Sequence, residues 1–165
     1  MKRLLISRHL YIAARILLAA VFVYAGVGKL ADPQGFAVVI AGYGLTPSWA
    51  DLPLAVCLPA LEVLAGIGLV FDIKGSLGLI VAQLLVFVGV LAYGIHLGLD
   101  VDCGCYGPND PEGEAYHGLK TALVRDLFLL AACGYMIWRR KAARVAPVPA
   151  SRFLQLVTRR RNTRD

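Results

Sequence analysis

Charged residues are almost absent from four long stretches of this sequence, and the chain contains no internal repeat and no low-complexity tract outside its basic C-terminal segment. The absence of a repeat excludes solenoid and propeller architectures. The shortage of charge excludes a soluble domain, because 58% hydrophobic residues and a mean hydropathy of +0.66 exceed what a chain of 165 residues can bury. The length suits a single domain.

The four apolar stretches are residues 11–28, 53–71, 76–98 and 119–138. Each is close to the length of about 20 residues that a membrane-spanning helix needs. The bilayer core offers backbone groups no water, so each stretch must be helical. We therefore predict an all-α fold in which residues 1–138 form a four-helix transmembrane bundle. Residues 139–165 are predicted to form a disordered, basic cytoplasmic tail.

A fifth apolar run, residues 35–45, is too short to span a membrane. It follows Asp32-Pro33, which is typical of a helix start, with Asp at the N-cap and Pro in the first turn. We predict a short helix between spans one and two, lying in the membrane interface or folded against the bundle.

The distribution of lysine and arginine predicts the orientation of the bundle. Fourteen of the 17 basic residues precede span one, lie at its edge, follow span four or occupy the turn between spans two and three. The positive-inside rule then places both termini in the cytoplasm of a bacterial inner membrane and the loop between spans three and four in the periplasm. The same rule explains the basic tail, which we expect to bind anionic lipid and not nucleic acid.

The N-terminal region also has features of a cleavable signal peptide, namely a basic start, an apolar run and the small-residue pattern Val23-Tyr24-Ala25. The apolar run continues past that site through Gly26-Val27-Gly28, which favours a retained helix. Cleavage would leave three spans with the same orientation.

Two cysteines stand one residue apart in the predicted periplasmic loop, as Cys103-Gly104-Cys105. An oxidising compartment permits a disulfide there, but a bridge across one residue requires a distorted backbone, which Gly104 allows. Strained and exposed disulfides exchange readily, so we predict that Cys103 and Cys105 form a catalytic redox pair. The alternative interpretation is an inert bridge or two idle thiols.

Attack by a thiol requires the thiolate form, which nearby positive charge favours. The five acidic residues between positions 100 and 114 do not provide that charge. It would have to come from His117, Lys120 or Arg125.

A metal site is a further alternative for the same loop. His96 and His117 flank the loop and would complete a Cys₂His₂ set with Cys103 and Cys105. The spacing matches no recognised zinc pattern, so we expect no metal.

Glu62 lies near the middle of span two, where a lone carboxylate is costly. It must therefore be protonated, paired or facing a polar cavity. A pair with Arg125 is geometrically reasonable, and Lys29 is a second candidate partner. Such a pair either fixes the order of the helices or forms a proton or quinone site near the redox turn. Asp126 is expected to face a different direction from Arg125 and to cap the loop or pair with Lys120.

The remaining cysteines, Cys57 and Cys133, fall inside spans two and four. Cysteine inside a span is usually a small buried hydrophobe. Cys57 lies nearer the periplasmic surface and is the better candidate for a second redox cysteine. Glycines recur in the first three spans, and small residues of this kind allow membrane helices to pack closely.

Several short motifs occur along the chain in a characteristic order. They are Tyr24-Ala25-Gly26-Val27-Gly28-Lys29-Leu30, Asp32-Pro33, Gly35-Phe36, Tyr43-Gly44-Leu45-Thr46-Pro47, Leu58-Pro59-Ala60-Leu61-Glu62, Cys103-Gly104-Cys105-Tyr106-Gly107 and Arg125-Asp126. With them the chain resembles the MauE/DoxX family of redox-associated membrane proteins, and most closely its methylamine-utilisation group, MauE. The resemblance covers about residues 15–138 and leaves out the basic tail.

The resemblance implies a four-helix inner-membrane protein that assists the maturation of periplasmic methylamine dehydrogenase. It implies a thioredoxin-like periplasmic partner similar to MauD, with which Cys103 and Cys105 would exchange a disulfide. DoxX-like members imply a rival role, a non-catalytic membrane anchor or assembly subunit of a redox complex such as thiosulfate:quinone oxidoreductase. A more distant similarity to quinone-linked disulfide-forming enzymes implies quinone as a cofactor, although this chain lacks their Cys-x-x-Cys at a helix start.

Overall fold

The computed structural model of the protein describes residues 8–99 and 118–142, which contain five α-helices and no strand. The helices are α1 (Arg8–Ala31), α2 (Pro33–Gly42), α3 (Ser48–Val70), α4 (Ser76–Leu97) and α5 (Gly118–Ala142). The all-α prediction is therefore confirmed, with four long helices and a short one after the first. The Cys103-Gly104-Cys105 turn, His117 and the tail beyond Ala142 lie outside the described residues.

All four long helices are long and apolar enough to cross a membrane. Their outer surfaces carry large hydrophobic side chains, among them Leu17, Leu64 and Phe128, which are 68%, 64% and 72% exposed. Such exposure suits lipid and not water as the surrounding solvent. Trp49 and Trp138 are also exposed, near the start of α3 and the end of α5, as in the aromatic belts of membrane proteins. The chain is a multi-pass membrane protein.

Helix α2 begins as its sequence predicts. Asp32 is the N-cap, its side chain accepts a hydrogen bond from the backbone N–H of Gly35 at 2.9 Å, and Pro33 occupies the first turn. Phe36 is buried, and the helix packs mainly on α3. Of the two predicted positions for this helix, the structure shows the one folded against the bundle.

Helices α1 and α3 run antiparallel and make the closest helix–helix contact, because glycines replace side chains where they meet. A Cβ atom on Gly26 would lie 2.7 Å from Val63 Cγ2 and 2.8 Å from the carbonyl oxygen of Pro59. A Cβ atom on Gly66 would lie 3.0 Å from the carbonyl oxygen of Ala19. Neither position has room for a methyl group.

One end of the bundle brings together the start of α1, the turn between α3 and α4, and the end of α5. The hydroxyl of Tyr11 donates to the carboxylate of Asp72 at 3.2 Å, and Arg140 Nη2 donates to the same carboxylate. Arg140 Nε also donates to the Tyr11 hydroxyl at 2.9 Å. We call this the arginine end.

The opposite end holds α2, the start of α3, the end of α4 and the start of α5. Tyr43 and Leu119 belong to one buried apolar cluster there. Residues 100–117 connect Leu99 to Gly118 at this end. We call it the loop end.

Candidate functional site

A buried ion pair between α1 and α3 lies at the centre of the candidate site. Lys29 Nζ lies 2.6 Å from Glu62 Oε1, and the two side chains are only 5% and 2% exposed. The predicted pairing of Glu62 with Arg125 is thus wrong, and the second candidate, Lys29, is the partner. The physical reason is Gly26, one turn before Lys29, because its missing side chain lets α1 approach Glu62.

The ammonium group of Lys29 also contacts two aromatic rings from other helices. It lies 5.4 Å from the ring centre of Phe36 on α2 and 4.8 Å from that of Phe87 on α4. Both distances fall within the range of a cation–π interaction. Lys29 thereby joins four of the five helices of the described chain at a single point.

A second charge pair, with a buried Asp126 and a half-buried Arg125, lies on α5. Arg125 Nε and Nη2 donate to Asp126 Oδ1 at 3.2 and 3.0 Å, and Asp126 is only 3% exposed. The expectations that Asp126 faces a different direction from Arg125 and that it pairs with Lys120 are wrong, because Arg125 is its partner. The alternative that Asp126 caps the loop concerns residues outside the described ranges and stays a prediction. The long guanidinium side chain folds back over the neighbouring residue, so adjacent positions on the helix do meet.

Both charge pairs line one cavity of about 280 Å³. All five helices contribute to its walls, which are apolar apart from these pairs and two hydroxyl-bearing side chains, Tyr43 and Thr46. Residues from the two buried apolar clusters of the bundle line it, including Phe22 and Leu91. The site is therefore a hydrophobic cavity with a small number of buried charges in its wall.

Glu62, which lines this cavity, has one unsatisfied carboxylate oxygen among the described residues. Glu62 Oε1 is bound to Lys29, but the buried Oε2 has no hydrogen-bond partner among the residues that the structure describes. A buried acceptor in this state is rare in native proteins and calls for an explanation.

Gln83 on α4 is a buried polar residue that the sequence reasoning missed. Its Nε2 donates to the carbonyl oxygen of Leu58 at 3.4 Å, next to Pro59 in α3. Its own Oε1 is buried and has no hydrogen-bond partner within residues 8–99 and 118–142. Gln83 carries no charge, so the distribution of charged residues in the spans does not reveal it. A single Gln in an otherwise apolar span was the available signal.

The arginine end is a second cluster that sequence reasoning did not foresee. Asp72 accepts from Tyr11 and Arg140 and forms an ion pair with Arg15 at 3.3 Å. The guanidinium of Arg139 lies 4.6 Å from the ring centre of Tyr11. The available sequence signal was Asp72, an acidic residue in the turn between spans two and three, on the side where most lysines and arginines lie. The cluster ties α1 and α5 to the turn between α3 and α4.

The structure brings only part of the predicted site together. Glu62, Lys29 and Arg125 all line the cavity. Cys133 is buried as expected, but Cys57 is exposed on the surface of α3, so the expectation of a buried thiol is wrong there. His96 is exposed in the last turn of α4. The redox pair and the alternative metal set include residues outside the described ranges and stay predictions.

Comparison with known proteins places this helical domain in a family. The family model described as methylamine utilisation protein MauE matches residues 7–139. The chain belongs to the MauE family. This MauE-family region includes α1 to α4, α5 up to Arg139 and both charge pairs.

One curated relative supports the same assignment. The methylamine utilization protein MauE of Paracoccus denitrificans is 34% identical over 97 residues, which cover 57% of this chain and 52% of that protein. The chain thus spans about half the length of this MauE relative. No solved structure gives a significant match.

Proposed function

We propose that this MauE-family protein is a membrane-embedded thiol–disulfide helper of methylamine utilisation, with Cys103 and Cys105 as the exchanging pair. Membership of the family and the name of the Paracoccus denitrificans relative support the assignment to methylamine utilisation. The client is periplasmic methylamine dehydrogenase, which the protein helps to mature. The exchange partner is a thioredoxin-like periplasmic protein similar to MauD.

The observation that carries the proposal is the separation of the two ends of the bundle. Residues 100–117, which contain both cysteines, begin and end at the loop end, while Arg15, Arg139 and Arg140 gather at the opposite end. By the positive-inside rule the arginine end is cytoplasmic, and the basic residues that follow it bind anionic lipid. The cysteine pair then faces the oxidising periplasm, where a disulfide persists.

The proposed chemistry is thiol–disulfide exchange, in which this protein and its partner trade one disulfide bond for two thiols. A thiolate of the partner attacks the Cys103–Cys105 disulfide and forms a mixed disulfide, which the partner's second thiolate resolves. One disulfide bond breaks in this chain and one forms in the partner, so two electrons and two protons pass to Cys103 and Cys105. The reverse exchange restores the disulfide and reduces the partner.

Trapping the mixed disulfide tests the proposal. In cells grown on methylamine, Cys105→Ser leaves Cys103 without its resolving neighbour, and Cys103→Ser does the converse. We expect at least one of these variants to accumulate a covalent adduct with a thioredoxin-like protein, identified by mass spectrometry after an acid quench. The adduct should vanish on reduction and be absent from the double serine variant.

Matched controls use the two cysteines in the helices. Cys57→Ser and Cys133→Ser should leave the adduct unchanged, since neither residue lies in the loop. If no adduct forms and the double variant of Cys103 and Cys105 still supports growth on methylamine, the exchange proposal fails. A non-catalytic assembly subunit would then explain the function better.

A further inference from the structure

Two arginines at the arginine end share a single carboxylate. Arg15 on α1 and Arg140 on α5 both form ion pairs with Asp72 in the turn between α3 and α4. A guanidinium group stays protonated in proteins, so this cluster of two cations and one carboxylate keeps an excess of positive charge. Both arginine side chains are largely buried, and a further anion beside them would lower the free-energy cost of that excess.

Both arginines also keep N–H groups that a ligand can reach. Arg15 contacts Asp72 through Nη1, while Arg140 donates from Nε to Tyr11 and from Nη2 to Asp72. Within residues 8–99 and 118–142, Arg15 Nη2 and Arg140 Nη1 make no hydrogen bond, and neither is among the buried atoms that lack one. Both atoms are therefore accessible, which agrees with side chains that are 19% and 15% exposed.

The arrangement of these donors favours phosphate as the ligand. Arg15 approaches Asp72 Oδ2 and Arg140 donates to Asp72 Oδ1, so one carboxylate holds guanidinium groups from two helices side by side. A group that accepts from both needs negative charge and several oxygens. Phosphate has both properties, and it forms bidentate hydrogen bonds with guanidinium groups.

The position of the cluster favours a phosphate that belongs to a lipid. Arg15 lies about two turns into α1 and Arg140 in the last turn of α5, and arginine side chains near helix ends reach the headgroup region. In the adjoining turns Ile16 and Ile137 are exposed and offer acyl chains an apolar surface. Basic pockets between membrane helices are typical sites for the headgroups of anionic lipids.

We propose that Arg15 and Arg140 bind the headgroup phosphate of an anionic phospholipid at a specific site between α1 and α5. The site belongs to the folded bundle, so it differs from the diffuse attraction of lipid to the basic tail. Lipid phosphates lie at both membrane surfaces, so the site does not depend on the orientation of the bundle. It involves neither Cys103 nor Cys105 and stands independently of the disulfide exchange.

Two lipids with different headgroup charge test the proposal. Native mass spectrometry of the full-length protein, released from detergent micelles with added phospholipid, counts the lipids bound to each molecule. We expect one phosphatidylglycerol to bind at least about tenfold more tightly than phosphatidylcholine, whose choline cation is repelled by a positive site. Inorganic phosphate in excess should not displace it. Equal affinity for the two lipids would overturn the proposal, and displacement by inorganic phosphate would overturn it in favour of a site for the free anion.

Matched variants separate a specific site from general positive charge. Arg15→Gln and Lys141→Gln each remove one positive charge near the same end, and Lys141 is exposed in the last turn of α5. Arg15→Gln should weaken phosphatidylglycerol binding by about tenfold, because a hydrogen bond between charged groups is lost, and Lys141→Gln should leave it within about twofold. Glutamine at the three arginines of residues 159–161 should also leave the tight lipid in place. Equal weakening in all these variants would contradict a site in the bundle.

A further variant keeps both arginines and removes the anion that competes for them. Asp72 has a φ of 54°, a left-handed conformation that asparagine also adopts readily, so Asp72→Asn should retain the turn. Without the carboxylate, phosphatidylglycerol should bind at least about threefold more tightly. Unchanged or weaker binding by a folded Asp72→Asn protein, as judged by circular dichroism, would overturn the assignment to this cluster. The double serine variant of Cys103 and Cys105 should bind the lipid normally, so failure of the exchange and failure of this site are distinguishable.

Discussion

Lys29 and Glu62 are charged residues inside membrane-spanning helices, where an unpaired charge has a high free-energy cost. Each lowers that cost for the other by forming an ion pair. An isolated carboxylate at the middle of a span is costly, and a lysine in the same medium is costly as well. At 2.6 Å the pair offsets much of that cost, and the aromatic contacts of Lys29 with Phe36 and Phe87 add to it. Lys29 also lies in the last turn of α1, where the helix dipole favours a cation.

Replacing one residue of the Lys29–Glu62 pair should lower the free energy of unfolding much more than replacing both. Lys29→Met leaves a buried carboxylate without its cation and should lower the free energy of unfolding by about 3–5 kcal/mol. Lys29→Met combined with Glu62→Leu should recover most of that loss, because no buried charge is left uncompensated. The measurement is reversible unfolding in mixed micelles, followed by circular dichroism.

A lysine at the same end of the bundle provides the control for this prediction. Lys120 is exposed, so Lys120→Met should change the free energy of unfolding by no more than about 0.5 kcal/mol. A double variant that is less stable than Lys29→Met alone would refute the explanation by an uncompensated charge.

The sequence alone predicted that Glu62 cannot remain an isolated charge, because a lone carboxylate near the middle of a span is costly, and it offered a cationic partner as one solution. It did not identify the partner, because Lys29 and Arg125 are both within reach on sequence spacing. The choice depends on the distance between α1 and α3, which Gly26 determines. Asp126 was misassigned because helix geometry fixes the direction of Cβ but not the path of an arginine side chain.

At the scale of elements, the contact between α1 and α3 sets the geometry of the site. The sequence shows many glycines in the spans, but it does not show which of them face another helix. The structure separates them, since Gly26 and Gly66 meet neighbouring backbone while Gly78 and Gly89 have open space around them. Packing faces of a membrane helix are hard to read from sequence because lipid and protein interior are both apolar.

Two glycine-to-alanine substitutions test this distinction. Gly26→Ala should destabilise the protein by about 1–3 kcal/mol, because the new methyl group would lie 2.7 Å from Val63 Cγ2 and force α1 away from α3. Gly89→Ala should be neutral or slightly stabilising, because the methyl group meets nothing within 4 Å and alanine is the better helix former. Unfolding in mixed micelles measures both, and equal losses in the two variants would contradict a specific contact at Gly26.

At the scale of the whole molecule, the fold class was predictable and the cavity was not. A bilayer admits only helices in segments of this length, so four apolar stretches determine four long helices. The cavity depends on how much space five packed helices leave between them, and no sequence pattern reports that volume. The arginine end was also predicted only in part. The sequence predicted positive charge on one face of the membrane, but not the ion pairs of Arg15 and Arg140 with Asp72.

The orientation of the bundle decides whether a disulfide at the loop end is chemically reasonable, and labelling can measure it. In a background with all four cysteines changed to serine, Ser48→Cys reports the loop end and Lys74→Cys the turn at the arginine end. Both positions are exposed, so they form a matched pair. A membrane-impermeant maleimide should label Ser48→Cys in spheroplasts and label Lys74→Cys only after the membrane is opened. The reverse pattern would place residues 100–117 in the reducing cytoplasm, where a disulfide between Cys103 and Cys105 would not persist.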